Sequence, residues 1–501
     1  MTDPDLRDQP LAYTPEPVPG LRRISARHGG YQGASRTRDA LAGWQTTPYS
    51  PDVIASLDLP KLRERCADLA RNNPTAVGAL NTQVEGVVGT GLRLNATVDR
   101  DYLGISDAIA EKFEDDMERL WNIWASSKDC HVKREYNFDE QLDIIFRSVA
   151  TAGDHFVQLT RAQDSSLPFL LALQHIAAER VSNPQDAMDT PTLIQGIEKT
   201  PYGAPKNIHV LNVHPGDTTS RLKRKWTPVP IFNPSTGRRI VLHARYVQSD
   251  SHTRSVPLFT PVIEALKQTG RYVDAEVDSA VKNALWALVV QTDSGGGISG
   301  LLSTASLQDR IEYYAENPVS AIAEGSRVAG LFPGDQLTSF NPSRPNDAFD
   351  PFLKAMSRQI APAIGIPPET LQKEFLSSYS AARASLLLAH KYYNGRRKWL
   401  ADDICKPIYG AFADEMVATG RVSAPGYFAD ALVREAYLGS EWYGDAHGEI
   451  DEGKAVAAAV ARIDAGLSTK KREATMIAGQ DWLKISRQRK REMAEEPQEV
   501  I

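Results

Sequence analysis

Cysteine is scarce: Cys66, Cys130 and Cys405 are the only three in 501 residues, they lie far apart, and no two form a Cys-x-x-Cys pair. That spacing argues against a disulfide framework or a zinc site and suits a reducing compartment with structural thiols. No apolar run approaches the roughly 18 to 20 residues a membrane span needs, and the N-terminus is acidic and proline-rich rather than basic then apolar. Neither a membrane span nor a signal peptide is expected. HExxH, GxSxG, Walker and kinase signatures are all missing, and the ten histidines are scattered. Gly89-Thr90-Gly91 lacks the lysine and the length of a phosphate loop and reads as a turn. Charge is nearly balanced, with 57 basic and 63 acidic residues for a net of −6, so any contact with DNA has to use local patches. No cofactor or metal is expected.

What is present is helix with some strand, in a chain long enough for several domains. Residues 1–50 hold six prolines and the arginines Arg22, Arg23, Arg27, Arg36 and Arg38, with little periodicity. This reads as a flexible arm whose arginines suit a phosphate backbone, a neighbour's acidic surface or plain solvent. Helices are predicted from Leu57 to Leu69, from Ala76 to Val88, and over Ile109 to Trp124, where the polar face carries Glu111, Glu114, Asp115, Asp116 and Glu118. Asn137 with Glu140 resembles a capping box opening another helix, and Gly153-Asp154 turns it into a strand over His155–Thr160, followed by a second over Phe169–Ile176. Residues 177–260 read as loops and short strands.

Two pairs could be taken for catalytic groups. Asp154 and His155 are neighbours on a strand and point to opposite faces, and His214-Pro215-Gly216-Asp217 fits a turn with a capping aspartate. The densest basic run, Arg221, Lys223, Arg224 and Lys225 beside Trp226, could grip phosphates or an acidic partner, or form a solvated hairpin tip.

Two long helical patterns dominate the rest. Pro261 to Thr292 repeats apolar residues at three, four and seven, which would make a rod of about 45 Å, and Gly295-Gly296-Gly297 stops it. A second pattern starts near Ser380 and runs through Ala382, Leu386, Ala389, Tyr393 and Leu400 until Pro407 kinks or ends it. Ile366-Pro367-Pro368 breaks the chain before it. A short helix is expected near Ser306–Glu316, more helix over Tyr409–Val417, Glu452–Ala465 and Lys470–Ile477, and a charged tail from Arg487. Rods of this length with no catalytic motif point to an assembly protein.

Several words sharpen this. Phe332-Pro333-Gly334-Asp335, Arg358-Gln359-Ile360-Ala361, Gly365-Ile366-Pro367-Pro368-Glu369-Thr370-Leu371 and Tyr379-Ser380-Ala381-Ala382-Arg383-Ala384 occur in an order that closely resembles the lambda-type portal proteins of tailed bacteriophages. The resemblance extends upstream through Leu173-Gln174-His175-Ile176, Glu179-Arg180-Val181, His214-Pro215-Gly216-Asp217, Leu242-His243 and Thr253-Arg254-Ser255-Val256-Pro257, and covers roughly residues 50 to 480. Ser255 departs from the glycine usual there, and Glu374–Ser378 from the usual polar residues.

The resemblance implies an α+β, predominantly helical portal fold with wing, stem, clip and crown, assembled as a cyclic ring of twelve subunits at one capsid vertex. It implies an N-terminal arm over 1–50, a wing over 51–260, a stem helix over 261–292, and a clip with the return of the stem over 293–345. The wing's long helix and channel-loop region would occupy 346–445, and a helical crown with a charged tail 446–501. Its implied partners are further copies of the chain, double-stranded DNA in transit, the terminase large subunit as packaging ATPase, a head-tail adaptor, and the major capsid protein or scaffold. It implies a place in the virion after assembly in the host bacterial cytoplasm, with no membrane. Arg383, Lys391, Arg396 and Arg397 are the candidates for DNA contact or ion pairs between subunits. A capsid or adaptor subunit without a channel, and a head-maturation hydrolase using His214 with Asp217 or Asp154 with His155, are the competing readings.

Overall fold

The structure is a computed structural model and describes residues 34, 39–41, 43–162, 164, 166–285, 289–292, 308, 311–313, 315–316, 335–338, 348–375, 378–445, 452–480 and 482–495. Most of the expected arm and most of 293–345 lie outside the described residues; of the short helix expected at 306–316, residues 308, 311–313 and 315–316 are described and are helical. The described chain is α+β and predominantly helical. It forms two compact units, one made of Met1–Pro261 with Phe375–Ile501 and the other of Val262–Glu374.

Helix α1 (Pro51–Asn72) begins earlier than leucine spacing alone predicts, because Ser50 caps it from Oγ to the Val53 amide at 3.3 Å and Pro51 sits in the first turn. Asn73 closes α1 with its own amide and opens α2 (Pro74–Val87) with its side chain, 3.0 Å from the Ala76 amide. Strand β1 (Arg93–Ala96) and the short α3 (Arg100–Leu103) lead to α4 (Asp107–Ser126). Helix α5 (Phe138–Ala152) carries the expected capping box, with Asn137 and Glu140 each accepting from the other's backbone amide at 2.9 and 2.8 Å. Strands β2 (Asp154–Arg161) and β3 (Leu171–Ile176) follow.

Next comes an antiparallel meander of β4 (Leu193–Ile194), β5 (Ile197–Lys199), β6 (Pro205–Leu211) and β7 (Trp226–Pro230), with Pro228 and Pro230 on its edge strand, where lost amides cost least. Strand β8 (Val241–Arg245) returns to pair with β2, giving a sheet of order β3-β2-β8. The two sheets share a core that includes Phe156, Ile176, Val181, Ile208 and Val241.

The Val262–Glu374 unit starts with α6 (Ile263–Leu285). Helix was expected as far as Thr292, but Val289–Thr292 is strand β9, antiparallel to β10 (Asp335–Thr338) with Thr292 opposite Asp335. Val289, Val290 and Thr292 are β-branched, and a pairing partner more than forty residues away decides between the two states, a signal no local window contains. Helix α7 (Phe349–Ala363) packs on α6 through Phe349 and Phe352, 5.9 and 4.5 Å from the Tyr272 ring. The expected break then falls at Pro367, and Pro368 opens α8 (Pro368–Gln372).

Ser378 caps α9 (Tyr379–Leu400). The expected kink at Pro407 takes the form of a π-helical turn, Ala401–Cys405, running into α10 (Lys406–Ala418); the wider turn suits a residue that has no amide to give. Helix α11 (Ala431–Tyr437) and strand β11 (Ser440–Tyr443) occupy a stretch that reads locally as loop, and β11 pairs with β1, Leu94 opposite Trp442. Helices α12 (Glu452–Asp464), α13 (Lys470–Ala478) and α14 (Trp482–Glu495) complete the chain. The expected charged tail is therefore helical as far as Glu495. Trp121 and Trp124 pack with Phe138 and Phe412, and Trp121 also meets Tyr409 and Trp442, so the tryptophans are core residues joining distant parts of the sequence.

Candidate functional site

Two of the upstream sequence words, Leu242-His243 and Thr253-Arg254, meet at a single buried carboxylate, Asp154, the first residue of β2. Arg254 donates to it from Nε and, at 3.0 Å, from Nη2; Arg63 on α1 donates from Nη2 at 3.0 Å, and His243 on β8 lies 3.1 Å away. The remaining donors of Arg254 reach the carbonyls of Ala178, Val181 and Gln195 at 2.8, 3.0 and 2.8 Å, and its guanidinium lies 5.1 Å from the Phe156 ring. Burial alone would raise the Asp154 carboxyl, but the two guanidiniums and their hydrogen bonds hold it well below the usual carboxylate range. His243 is pushed down to about 4, since burial outweighs the attraction of Asp154.

The residues flanking Arg254 are tied down as well. Thr253 donates its amide to Asp52 at 2.6 Å and its hydroxyl to the same carboxylate at 2.5 Å. Ser255, in place of the usual glycine, keeps a negative φ and donates its hydroxyl to the Tyr246 carbonyl at 3.0 Å. Gly153 has φ +90°, and a Cβ there would fall 2.0 Å from the Ser255 oxygen, so glycine is required for this approach. The node therefore fixes the segment by which the chain leaves the first unit at Pro261.

His155 points the other way, as expected for a strand neighbour, into a buried polar chain. Its Nδ1 is 3.0 Å from Ser148 Oγ, its Nε2 is 2.8 Å from His175 Nδ1, and His175 Nε2 is 2.9 Å from Gln141 Oε1. The Gln141 amide donates to the Tyr136 carbonyl, so its oxygen accepts from His175 Nε2, which leaves His175 Nδ1 to accept from His155 Nε2. Burial pushes His155 down to about 4 and, with the neighbouring His155 and His131, His175 down to about 2. Asp154 and His155 are thus structural groups sealed from any substrate. His214 is exposed and its Nδ1 accepts the Gly216 amide at 3.1 Å, while Asp217 accepts from Thr219 and Ser220 in a side-chain-capped turn. Among the described residues no group of three His, Cys, Asp or Glu could hold a metal ion, and no helix is long and apolar enough to cross a membrane.

The basic candidates separate into two kinds. Arg221, Lys223, Arg224 and Lys225 are exposed on the β6–β7 connection, where Arg224 lies 3.4 Å from Asp186 and Asn212 braces the backbone of Lys223 and Lys225. Arg383 and Lys391 are exposed on α9, on either side of Leu387 and Leu388, which are 59% and 67% exposed. Arg396 and Arg397 are half-buried and engaged within the chain. The Arg396 guanidinium lies 3.3 Å from the centre of the Tyr246 ring, and Arg397 donates to the Val87 and Gly86 carbonyls at the end of α2, both at 3.0 Å.

A further charged contact was not legible. Helix α14 places Arg487 2.6 Å from Asp115 and 3.5 Å from Glu111, and Lys484 against Glu118, so the acidic face of α4 is partly covered by the C-terminal basic run. The opposite signs of the two segments were the available clue.

A family model described as phage portal protein, lambda family, matches residues 37–397. Portal protein B of Escherichia phage lambda is 28% identical over 504 residues, covering 97% of this chain and 92% of its own length, and the portal protein of Escherichia phage N15 is also 28% identical, covering 97% and 93%. Among solved structures, a chain from the neck of a native gene transfer agent particle, computed with C12 symmetry, aligns with a TM-score of 0.42 at 13% identity over 85% of this chain and 98% of that one. An HK97 family phage portal protein from Corynebacterium diphtheriae aligns with a TM-score of 0.32 at 12% identity, over 64% and 82%.

Proposed function

The chain belongs to the lambda family of phage portal proteins, a family of structural proteins rather than enzymes, and from that premise we propose that its copies form the ring-shaped channel through which genomic DNA enters and leaves the capsid at one vertex. The observation that carries this reading is the family match itself, which runs through both compact units. The ring holds twelve subunits and sits in the virion, having assembled in the host bacterial cytoplasm. Its partners are the terminase large subunit, a head-tail adaptor, and the major capsid protein or scaffold.

Within each subunit, 51–260 and 346–445 form the wing, α6 the stem, 293–345 the clip with the stem's return, and 446–501 the crown. The layout of the Val262–Glu374 unit supports this: α6 leads out into β9, and β10 returns the chain to α7. Val277 and Val281 on α6 are 54% and 53% exposed in the single chain, a face that suits cover by a neighbouring copy.

The mechanism is geometric and electrostatic. Each phosphate neutralised by lysine or arginine adds a salt-dependent grip, so a wall that bound DNA tightly would stall its passage. A net charge of −6 with a few exposed cations suits sliding. Arg383 and Lys391 on α9 are the DNA-facing candidates, and the Arg221–Lys225 run is the candidate for an acidic partner. Arg396 and Arg397 hold the chain's own structure. Energy for pumping comes from the separate packaging ATPase. Native mass spectrometry of the purified full chain tests the reading: a closed oligomer of about a dozen copies is expected, and a monomer at every concentration would contradict it.

A further inference from the structure

We propose that a groove bordered by Arg161 and Arg239 docks an acidic peptide segment of a partner protein through its carboxylates and one apolar side chain. The groove, of about 510 Å³, lies between the ends of β2 and β3, the turn at Asn233–Arg239, and α10. Its walls are hydrogen-bonded: β2 and β3 pair along it, and Asn233 accepts the Ser235 amide in the turn, where Gly237 has φ +67°.

The charge available in the groove is positive. Asp414 is taken up by Arg238, by Arg434 Nε at 2.9 Å and by the Tyr427 hydroxyl at 3.0 Å. Glu415 is taken up by the amides of Leu170 and Leu171, both at 2.8 Å. Arg161 and Arg239 are exposed and make no salt bridge among the described residues; Arg239 rests 5.0 Å from the Phe232 ring. Two guanidiniums with unused donors therefore face a site whose own carboxylates are already satisfied.

The rest of the lining selects the kind of anion. Leu159 and Ile240 contribute apolar surface, and Phe428 stands at the rim, 56% exposed, with the Arg238 guanidinium 5.9 Å from its ring. Exposed arginine and aromatic side chains around a small apolar concavity are the usual composition of a protein-binding hot spot. A duplex about 20 Å wide could not enter a groove of this volume or place an apolar group against Phe428. The surface fits glutamate or aspartate flanking a leucine or phenylalanine. This inference goes beyond the channel reading and does not depend on it.

The test is fluorescence anisotropy of the assembled full-length protein with a fluorescein-labelled decapeptide containing four glutamates around a Leu-Phe pair. Salt-sensitive binding is expected, weakened at least tenfold by Arg161→Glu combined with Arg239→Glu, and similarly by Phe428→Ser. Circular dichroism should show the variants folded, since all three side chains are exposed. A peptide with lysine in place of glutamate should not bind. The proposal is overturned if the wild-type assembly does not bind the acidic peptide, which includes the case of a neighbouring copy filling the groove. It is also overturned if folded variants retain full affinity, or if a short DNA duplex displaces the peptide and is itself lost in the same variants.

Discussion

Arg254 grips Asp154 through two of its nitrogens while their side chains expose only 1% and 0% of their surface, and Arg254 gives its remaining hydrogen bonds to three main-chain carbonyls. One residue thereby fastens β2, the 3-10 turn ending at Val181, the turn at Gln195, and the segment leading to α6. Removing Asp154 strands two guanidiniums, and removing Arg254 leaves the buried carboxylate to Arg63 alone, a loss of about 3–5 kcal/mol in each case. Arg254→Leu should show that loss in chemical denaturation followed by tryptophan fluorescence. Arg254→Lys should be nearly as damaging, because an ammonium cannot reproduce the planar set of donors. The triple change Asp154→Leu, Arg63→Met and Arg254→Met, which removes both guanidiniums with the carboxylate, should recover part of the loss; equal or greater damage would show that the backbone contacts of the arginines, rather than the charge cluster, dominate.

Acid should act through the buried rings. His155 and His243 sit at about 4 and His175 at about 2, all below the value near 6.5 that an unfolded histidine has. Between those values the unfolded chain binds more protons, so stability is complete above pH ~6.5 and falls as the pH drops toward 4, by up to about 1.4 kcal/mol per pH unit for each ring. Thermal midpoints measured across that window should decline, and His155→Gln or His175→Gln should flatten the slope. Loss of Asp154's contribution belongs to a lower window, below about pH 4, because its carboxyl is depressed in the folded state.

Two glycines with positive φ should respond differently to alanine. Gly153→Ala drives a methyl group into the Ser255 carbonyl and should destabilise by ~3 kcal/mol or more, while Gly420→Ala, at φ +69° with open space around it, should lose only about 1–2 kcal/mol. Comparing their urea midpoints checks this; equal losses would mean that backbone conformation alone sets both.

The C-terminal helix should be held by charge. Lys484→Glu with Arg487→Glu turns attraction to Glu118, Asp115 and Glu111 into repulsion. Limited proteolysis should then cut near α14 much faster than in the wild type, with the rest of the chain intact. High salt should speed cleavage of the wild type toward the same rate.

Elements with strong local signals were legible from the residues: the capping box at Asn137, the Pro367-Pro368 break and the amphipathic run of α4 all stand where their patterns put them. What escaped local reading depends on distant partners. Strand β9 forms because β10 pairs with it, and β11 because Trp442 lies opposite Leu94. Family words such as Leu242-His243 and Thr253-Arg254 were visible as words, but nothing local says that His243 and Arg254 meet at Asp154. The inward roles of Arg396 and Arg397 were hidden for the same reason. Their partners, Tyr246 and the end of α2, are far away in sequence.

Arg383 gives the sharpest local check on the DNA path. Arg383→Ala should leave ring assembly intact and reduce the amount of DNA packaged, read as the ratio of full to empty particles; unchanged packaging would remove this residue from the DNA-facing assignment.

Electron microscopy of the purified full-length protein tests whether its copies enclose a channel. Closed rings of about a dozen subunits around an opening of roughly 20 Å or more, enough for a duplex, are expected. Rings with no opening of that width, or particles with no cyclic symmetry, would contradict the channel reading.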